Sequence, residues 1–199
     1  VFIFGGLAGS RVAPGNYTLR LTLENESVQT EAVILPNPSI SSTNQDFIEQ
    51  QSILVSIENI IRDIHKSVNQ MRSARSQLST HAKLLKEREN TDDLITKGKD
   101  ILKRINSWEE NLIQAKQKTF QDVINFNNKL NAQLIQLKSY IDQADPKITE
   151  GAKERFKDLT KDWQVYTKER DAIIKVEMNV YNDLYKSLNI PALIIDVEK

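Results

Sequence analysis

Between Phe47 and Leu85 an apolar residue recurs every three or four positions, and that run fixes the fold class before any other feature does. Phe47, Leu54, Ile57, Ile61, Ile64, Val68, Met71, Leu78, Ala82 and Leu85 lie on it, with Gln50 and Arg75 as its polar occupants. Alternating steps of three and four gather these side chains on one stripe of an α-helix, the spacing of helices packed nearly parallel or antiparallel. About 45 residues of helix make a rod of roughly 65 Å. Upstream, Ser42 with Gln45, or Thr43 with Asp46, supplies an N-cap and a side chain that reaches back to it.

The chain after this rod carries two more seams. The run ERENTDD (87–93) interrupts the helix, and Asn90 or Thr91 can cap the next one. A second seam follows through Leu94, Gly98, Ile101, Ile105, Trp108, Leu112 and Ala115, and resumes at Phe120, Val123, Leu130, Leu134, Leu137 and Ile141, with Asn127 inside it. The step from Ala115 to Phe120 is one residue too long and turns the stripe by about 100°, so a kink or break is expected near 116–119. The third element is expected after QADPK, with Asp145 as cap and Pro146 in the first turn. Its seam runs Ala152, Phe156, Leu159, Trp163, Tyr166, Ile173, Val180 and Leu184 until Pro191 ends it. Three rods of similar length cover one another fully, whereas short central helices in a four-helix arrangement would strand half of the first seam. Each Leu or Ile so exposed would forgo about 1.5–3 kcal/mol. The expected architecture is therefore mainly α: a long antiparallel three-rod bundle over 39–199, its middle rod interrupted and counting as two helices if the break is complete.

Residues 1–38 are of a different kind. YTLRLTL (17–23) alternates in the strand period, with Tyr17, Leu19 and Leu21 on one side and Thr18, Arg20 and Thr22 on the other. ENES supplies the turn, VQTEAVIL the second strand, and VFIF (1–4) a candidate third. Two strands alone are marginal in water. The hairpin is thus expected to be the tail of a β-module whose other strands lie upstream.

Little in the composition points to chemistry. Twenty-seven basic residues balance 27 acidic ones, so no net field draws in nucleic acid or an anionic membrane. No cysteine is present, which removes disulfides and thiolate chemistry. His65 and His81 lie 16 positions apart, about 24 Å along a helix, too far to share a metal. No glycine-rich phosphate loop or zinc-ligand spacing occurs, and no cofactor or small-molecule site is expected. Paired acids such as Asp92 with Asp93 and Glu109 with Glu110 read as the polar faces of rods. Arg75 on the first seam, and Arg170 and Glu177 on or near the last, suggest polar layers within the bundle. Trp108, Trp163, Tyr166 and Phe156 read as core. Tyr181 and Tyr185 fall off the seam on one face and are the candidate partner surface. The triplets NYT at Asn16 and NES at Asn25 match the glycosylation pattern but are short enough to arise by chance.

The phrase around Val12, Ala13, Pro14, Gly15, Tyr17, Thr18, Arg20 and Leu21 resembles the last strands of the immunoglobulin-like module in bacterial secreted sortilin-like (VPS10-like, BNR-repeat) β-propeller proteins. DFIEQ (46–50), VNQMRSARSQL (68–78), INFNNKLNAQL (124–134) and NIPALI (189–194) are similar to the helical region that follows it there. NPS (37–39) stands where that family favours Asp-Pro-Arg, and Asn127 where a proline is common. The resemblance implies a non-catalytic C-terminal helical scaffold of a larger exported protein, periplasmic or at the cell surface. Its partners would be upstream β-domains of the same protein, or a second copy. Such proteins are often labelled glycosyl hydrolases on the strength of the propeller. The alternative expectation is accordingly an accessory module completing a hydrolase site, with Asp92, Asp93, Glu109 and Glu110 as the residues to test.

Overall fold

The computed structural model describes residues 9–119 and 121–191, together with the backbone but not the side chain of Val123. VFIF and Phe120 lie outside the described residues. A β-hairpin, β1 (Gly15–Leu23) and β2 (Glu26–Ile34), precedes α1 (Asn44–Leu84), α2 (Asp92–Leu112), the single turn α3 (Asp122–Asn125), α4 (Leu130–Ile141), α5 (Glu150–Ala172) and α6 (Met178–Ser187). A π-helical turn, Ile173–Glu177, joins α5 to α6 in one continuous rod.

These helices form three antiparallel rods: α1, then α2 with α4, then α5 with α6. Contacts at the two ends fix the directions. Near the start of α1, Glu49 pairs with Lys153 of α5 at 2.7 Å, and the Gln50 amide donates to the carbonyls of Ile141 and Gln143 at 2.8 and 2.9 Å. Gln50 is a buried seam residue, and its amide satisfies carbonyls that the end of α4 leaves without helical partners. At the other end His81 of α1 meets Tyr181 of α6, and Gly98 of α2 faces Leu78 and Tyr181. The seam residues Leu54, Ile57, Ile64, Val68 and Met71 are at most 2 % exposed and form one core with Leu94, Ile101, Ile105, Trp108, Leu134 and Leu159.

Local chemistry sets the helix starts. Thr43 caps α1: its hydroxyl accepts from the Asp46 N–H at 3.2 Å, and the Asp46 carboxylate accepts from the Thr43 N–H at 2.7 Å, so each satisfies a donor the other leaves open. Before α2 the chain turns through Asn90 in the left-handed region, φ 60°, while the Thr91 hydroxyl donates to the Leu85 and Arg88 carbonyls and draws the turn closed.

Four expectations need correction. The middle rod is interrupted over a wider stretch than 116–119: α2 stops at Leu112 and regular helix resumes at Leu130, with only α3 between. Ala115, placed on the seam, is exposed within the break. Thr149, not Asp145, caps α5, accepting from the Ala152 N–H at 3.3 Å. The Asp145 carboxylate instead accepts from Ser42 and from the Lys147 N–H. Finally, Val180 is 47 % exposed and Tyr181, placed off the seam, is 5 % exposed. The π turn explains this exchange. One extra residue per turn rotates everything after it by about 100°, so the inward position passes from Val180 to Tyr181.

Gly98 is where the end of the bundle closes. A Cβ built on it would lie 3.3 Å from the Tyr181 ring, tighter than ordinary contact. Gly98→Leu should therefore lower unfolding stability by about 1–3 kcal/mol in a urea titration, because the larger side chain must displace Tyr181. Gly98→Ala should fall within about 1 kcal/mol of the parent, since gained helix propensity offsets the tight contact. A Leu variant as stable as the parent would show that Tyr181 is not seated there.

Candidate functional site

The part of this molecule least accounted for by its own fold is the hairpin. Tyr17 faces Ala32, Leu19 faces Thr30, Leu21 faces Val28 and Leu23 faces Glu26. Because side chains alternate along a strand, all of these share one side with Ile34, while Asn16, Thr18, Arg20, Thr22, Ser27, Gln29 and Glu31 occupy the other together with Val33, its one aliphatic residue. The polar side is self-satisfied in part, with the Thr18 hydroxyl donating to Glu31 at 3.1 Å. On the aliphatic side Leu19, Leu21, Leu23 and Val28 are 56, 74, 75 and 71 % exposed. Among the described residues the strands pack on each other and on no helix. Asn16 and Asn25 lie on this exposed ribbon, Asn25 in its two-residue turn.

Its root, by contrast, is clamped. The Tyr17 hydroxyl donates to the Ala13 carbonyl at 2.6 Å, and Ala13 is buried with its N–H directed at the Gln51 side chain of α1. Ser10 donates to Glu58 of α1, which also pairs with Lys138 of α4 at 2.9 Å. Arg11 reaches Asp142 at the end of α4. The hairpin is thus a projecting ribbon on a fixed base.

Tyr181 and Tyr185 do not form an exposed aromatic patch. Tyr181 is core, and its hydroxyl lies 3.2 Å from His81 Nδ1. Tyr185 is half-buried, stacks on the His81 ring at 5.3 Å between centroids, and donates to the Pro191 carbonyl at 3.2 Å. The two tyrosines hold His81 between them as part of the bundle's end. His65, on the same helix, lies 3.0 Å from the Asn131 side chain through Nε2.

The acidic candidates separate. Asp92 and Asp93 sit exposed in the first turn of α2, where carboxylates complement the helix dipole. Glu110 is exposed on the outer face of α2, beside a surface hollow of 490 Å³ lined by residues of α2 alone. Glu109 is 6 % exposed and is gripped from α1 by Arg72, which donates at 2.8 Å, and by Arg75 at 3.1 Å. Arg75 therefore occupies its seam position as half of an inter-rod ion pair, and Arg72 and Glu109 are partners that reasoning from one stripe at a time did not join. Their positions directly after seam residues Met71 and Trp108 mark them as flanking charges of the kind that pair between helices. A second polar layer forms around Arg170, which donates to the buried Ser67 hydroxyl at 2.7 Å and to Asp171 at 3.0 Å, and lies over the Trp163 ring. Glu177 pairs with Arg104 of α2 at 3.3 Å.

Among the described residues no group of three or more His, Asp or Glu could hold a metal ion, and no helix is long and apolar enough to cross a membrane. Comparison with family models, curated proteins and solved structures gave no match to this chain.

Two predictions follow from these contacts. Glu109→Ala leaves Arg72 and Arg75 without their shared carboxylate and should cost about 2–3 kcal/mol, less than a fully buried pair because both guanidinium groups keep water. Arg72→Ala should cost at most about 1 kcal/mol, since Arg75 still holds the carboxylate. Chemical denaturation of the two variants checks both values.

Stability should also show a plateau in pH. Hydrogen bonds from the Thr43 hydroxyl and N–H hold Asp46 below its ordinary 3.8, the Ser10 hydroxyl and then Lys138 hold Glu58 below 4.5, and the Lys118 and Thr119 N–H groups hold Asp122 down. A depressed carboxyl stabilises the fold above its unfolded value and loses that contribution as the pH falls through the lower folded value. Burial raises Tyr166 and Tyr181 above 10.0, so their contribution is complete below that value and is lost as the pH rises beyond it. Melting temperatures should be flat from about pH 5 to 9.5 and fall on both sides, with Glu58→Gln shallowing the acid limb.

Proposed function

We propose that this chain is a non-catalytic helical scaffold and protein-interaction module, in which the three-rod bundle is a stiff support and the hairpin is the docking element. The observation that carries the reading is the aliphatic face of β1 and β2, left open to water on a ribbon whose root is fixed to α1 and α4. Contiguous exposed apolar surface on a protein this size marks an interaction site. The bundle itself offers long, mostly charged flanks, which suit contact surfaces better than a substrate cleft. With the resemblance to the helical region of secreted propeller proteins, the module belongs to a larger exported protein, periplasmic or at the cell surface. There it docks on β-domains of the same protein or pairs with another copy.

The accessory-hydrolase reading draws no support from the geometry. Of its four carboxylates, Glu109 is already committed to Arg72 and Arg75, and Asp92, Asp93 and Glu110 are exposed at separate places along α2.

If the hairpin is a docking element rather than part of the bundle's core, Leu21→Asp in the full chain should leave the helical circular dichroism and its melting temperature within about 2 °C of the parent. At concentrations where the chain is monomeric, the same variant should bind less of a hydrophobic dye such as ANS than the parent. A large drop in melting temperature would mean that the face contributes to the bundle, and the reading would fall.

A further inference from the structure

We infer that in the chain described here the hairpin's aliphatic face is occupied by the same face of a second copy, giving a symmetric dimer with a two-layer, four-stranded β-sandwich between two bundles. This rests on the reading of the hairpin as the docking element and names its partner.

Size is the first argument. Leu19, Leu21, Leu23, Val28 and Ile34, at 56, 74, 75, 71 and 39 % exposed, together present roughly 500 Å² of apolar surface, at the upper end of what a monomer ordinarily leaves in water. Two such faces in contact remove about 1,000 Å² in total, the threshold of a specific interface. The dimer is therefore weak and concentration-dependent rather than obligate.

Charge is the second. The only ionisable carboxylate or base on the aliphatic side is Glu26, at the tip, next to Glu24 in the turn. Self-pairing buries no charge at the middle of the face, whereas an acidic tip disfavours a nucleic acid or an anionic lipid surface.

Shape and access are the third. A ribbon matches a copy of itself in length and twist by construction, and sheets stack face to face at about 10 Å. Among the described residues the nine-residue strands contact no helix, so the aliphatic face is not engaged by the bundle. A two-stranded ribbon is marginal alone and gains a hydrophobic layer by pairing, so association and ordering of the hairpin support each other.

The test uses the full chain, which has no cysteine of its own. Light scattering after size exclusion should show the mass rising from monomer toward dimer with concentration, and Leu21→Asp should stay monomeric at every concentration with unchanged helical circular dichroism. Thr30, opposite Leu19 near the middle of the aliphatic face, lies close to the expected two-fold axis, while Thr22 lies on the polar face. Under mild oxidation Thr30→Cys should form a covalent dimer at least tenfold faster than Thr22→Cys. A dimer that survives Leu21→Asp, or equal cross-linking rates for the two thiols, would place the contact elsewhere and overturn the inference. A monomer at all concentrations would also overturn it. In that case the labelling rates of the two thiols separate the two ideas: equal rates leave the face open for a different partner. A protected Thr30→Cys thiol in a monomer would show the face covered by its own chain, and the docking reading would fall as well.

Discussion

Everything in this bundle follows from the need to cover one unbroken seam. α1 runs for 41 residues without a glycine or proline, and its stripe stays in register from Leu54 to Leu78. The other two rods are built against it, and each corrects its register once. The middle rod gives up helix between Leu112 and Leu130 and restarts with Leu130 and Leu134 facing inward. The last rod keeps Ile173 on its seam and then inserts one residue as a π turn, which brings Tyr181 to the core in place of Val180. The two solutions differ in what they leave behind. A break releases backbone groups that side chains must satisfy, as Gln117 does for the Phe126 carbonyl and Gln114 for that of Asn127. A π turn releases almost none, so the rod remains stiff.

Polar residues at or beside the seam act as register marks. Gln50 fixes the lower end of α1 to the end of α4, Arg72 and Arg75 fix its middle to Glu109, and Ser67 with Arg170 fixes it to the last rod. Sliding α1 by a helical turn would strip the buried Gln50, Ser67 and Glu109 of their partners, and Glu109 would weigh most because it is a buried charge. An all-aliphatic seam would lack that penalty and could slip.

Much of this was legible in the chain, and the exceptions have a common cause. The α1 stripe, its Thr43–Asp46 cap, the buried Trp108 and Trp163 and the alternation of β1 are all local periodicities, set by residues within a turn or two of one another. The break was visible as a five-residue step, but its width depends on how far α2 and α4 can approach α1, which no single stripe encodes. The π turn left no mark in the spacing: Ile173, Val180 and Leu184 continue the expected stripe, while the rotated register seats Tyr181 against Gly98 and His81. That one unseen residue is also why Tyr181 and Tyr185 read as a surface when they in fact enclose His81.

The hairpin presents the opposite case, a sequence pattern stronger than the structure around it can use. Alternation from Tyr17 to Leu23 in β1, matched more loosely by Val28, Ala32 and Ile34 in β2, specifies a sheet with one face in a core, yet α1 is already covered by both other rods. The root contacts through Ser10, Arg11 and Ala13 tie the base of the ribbon to α1 and the end of α4. Leu19, Leu21, Leu23 and Val28 therefore stay open to water, and covering them would take an apolar layer of similar length and low charge.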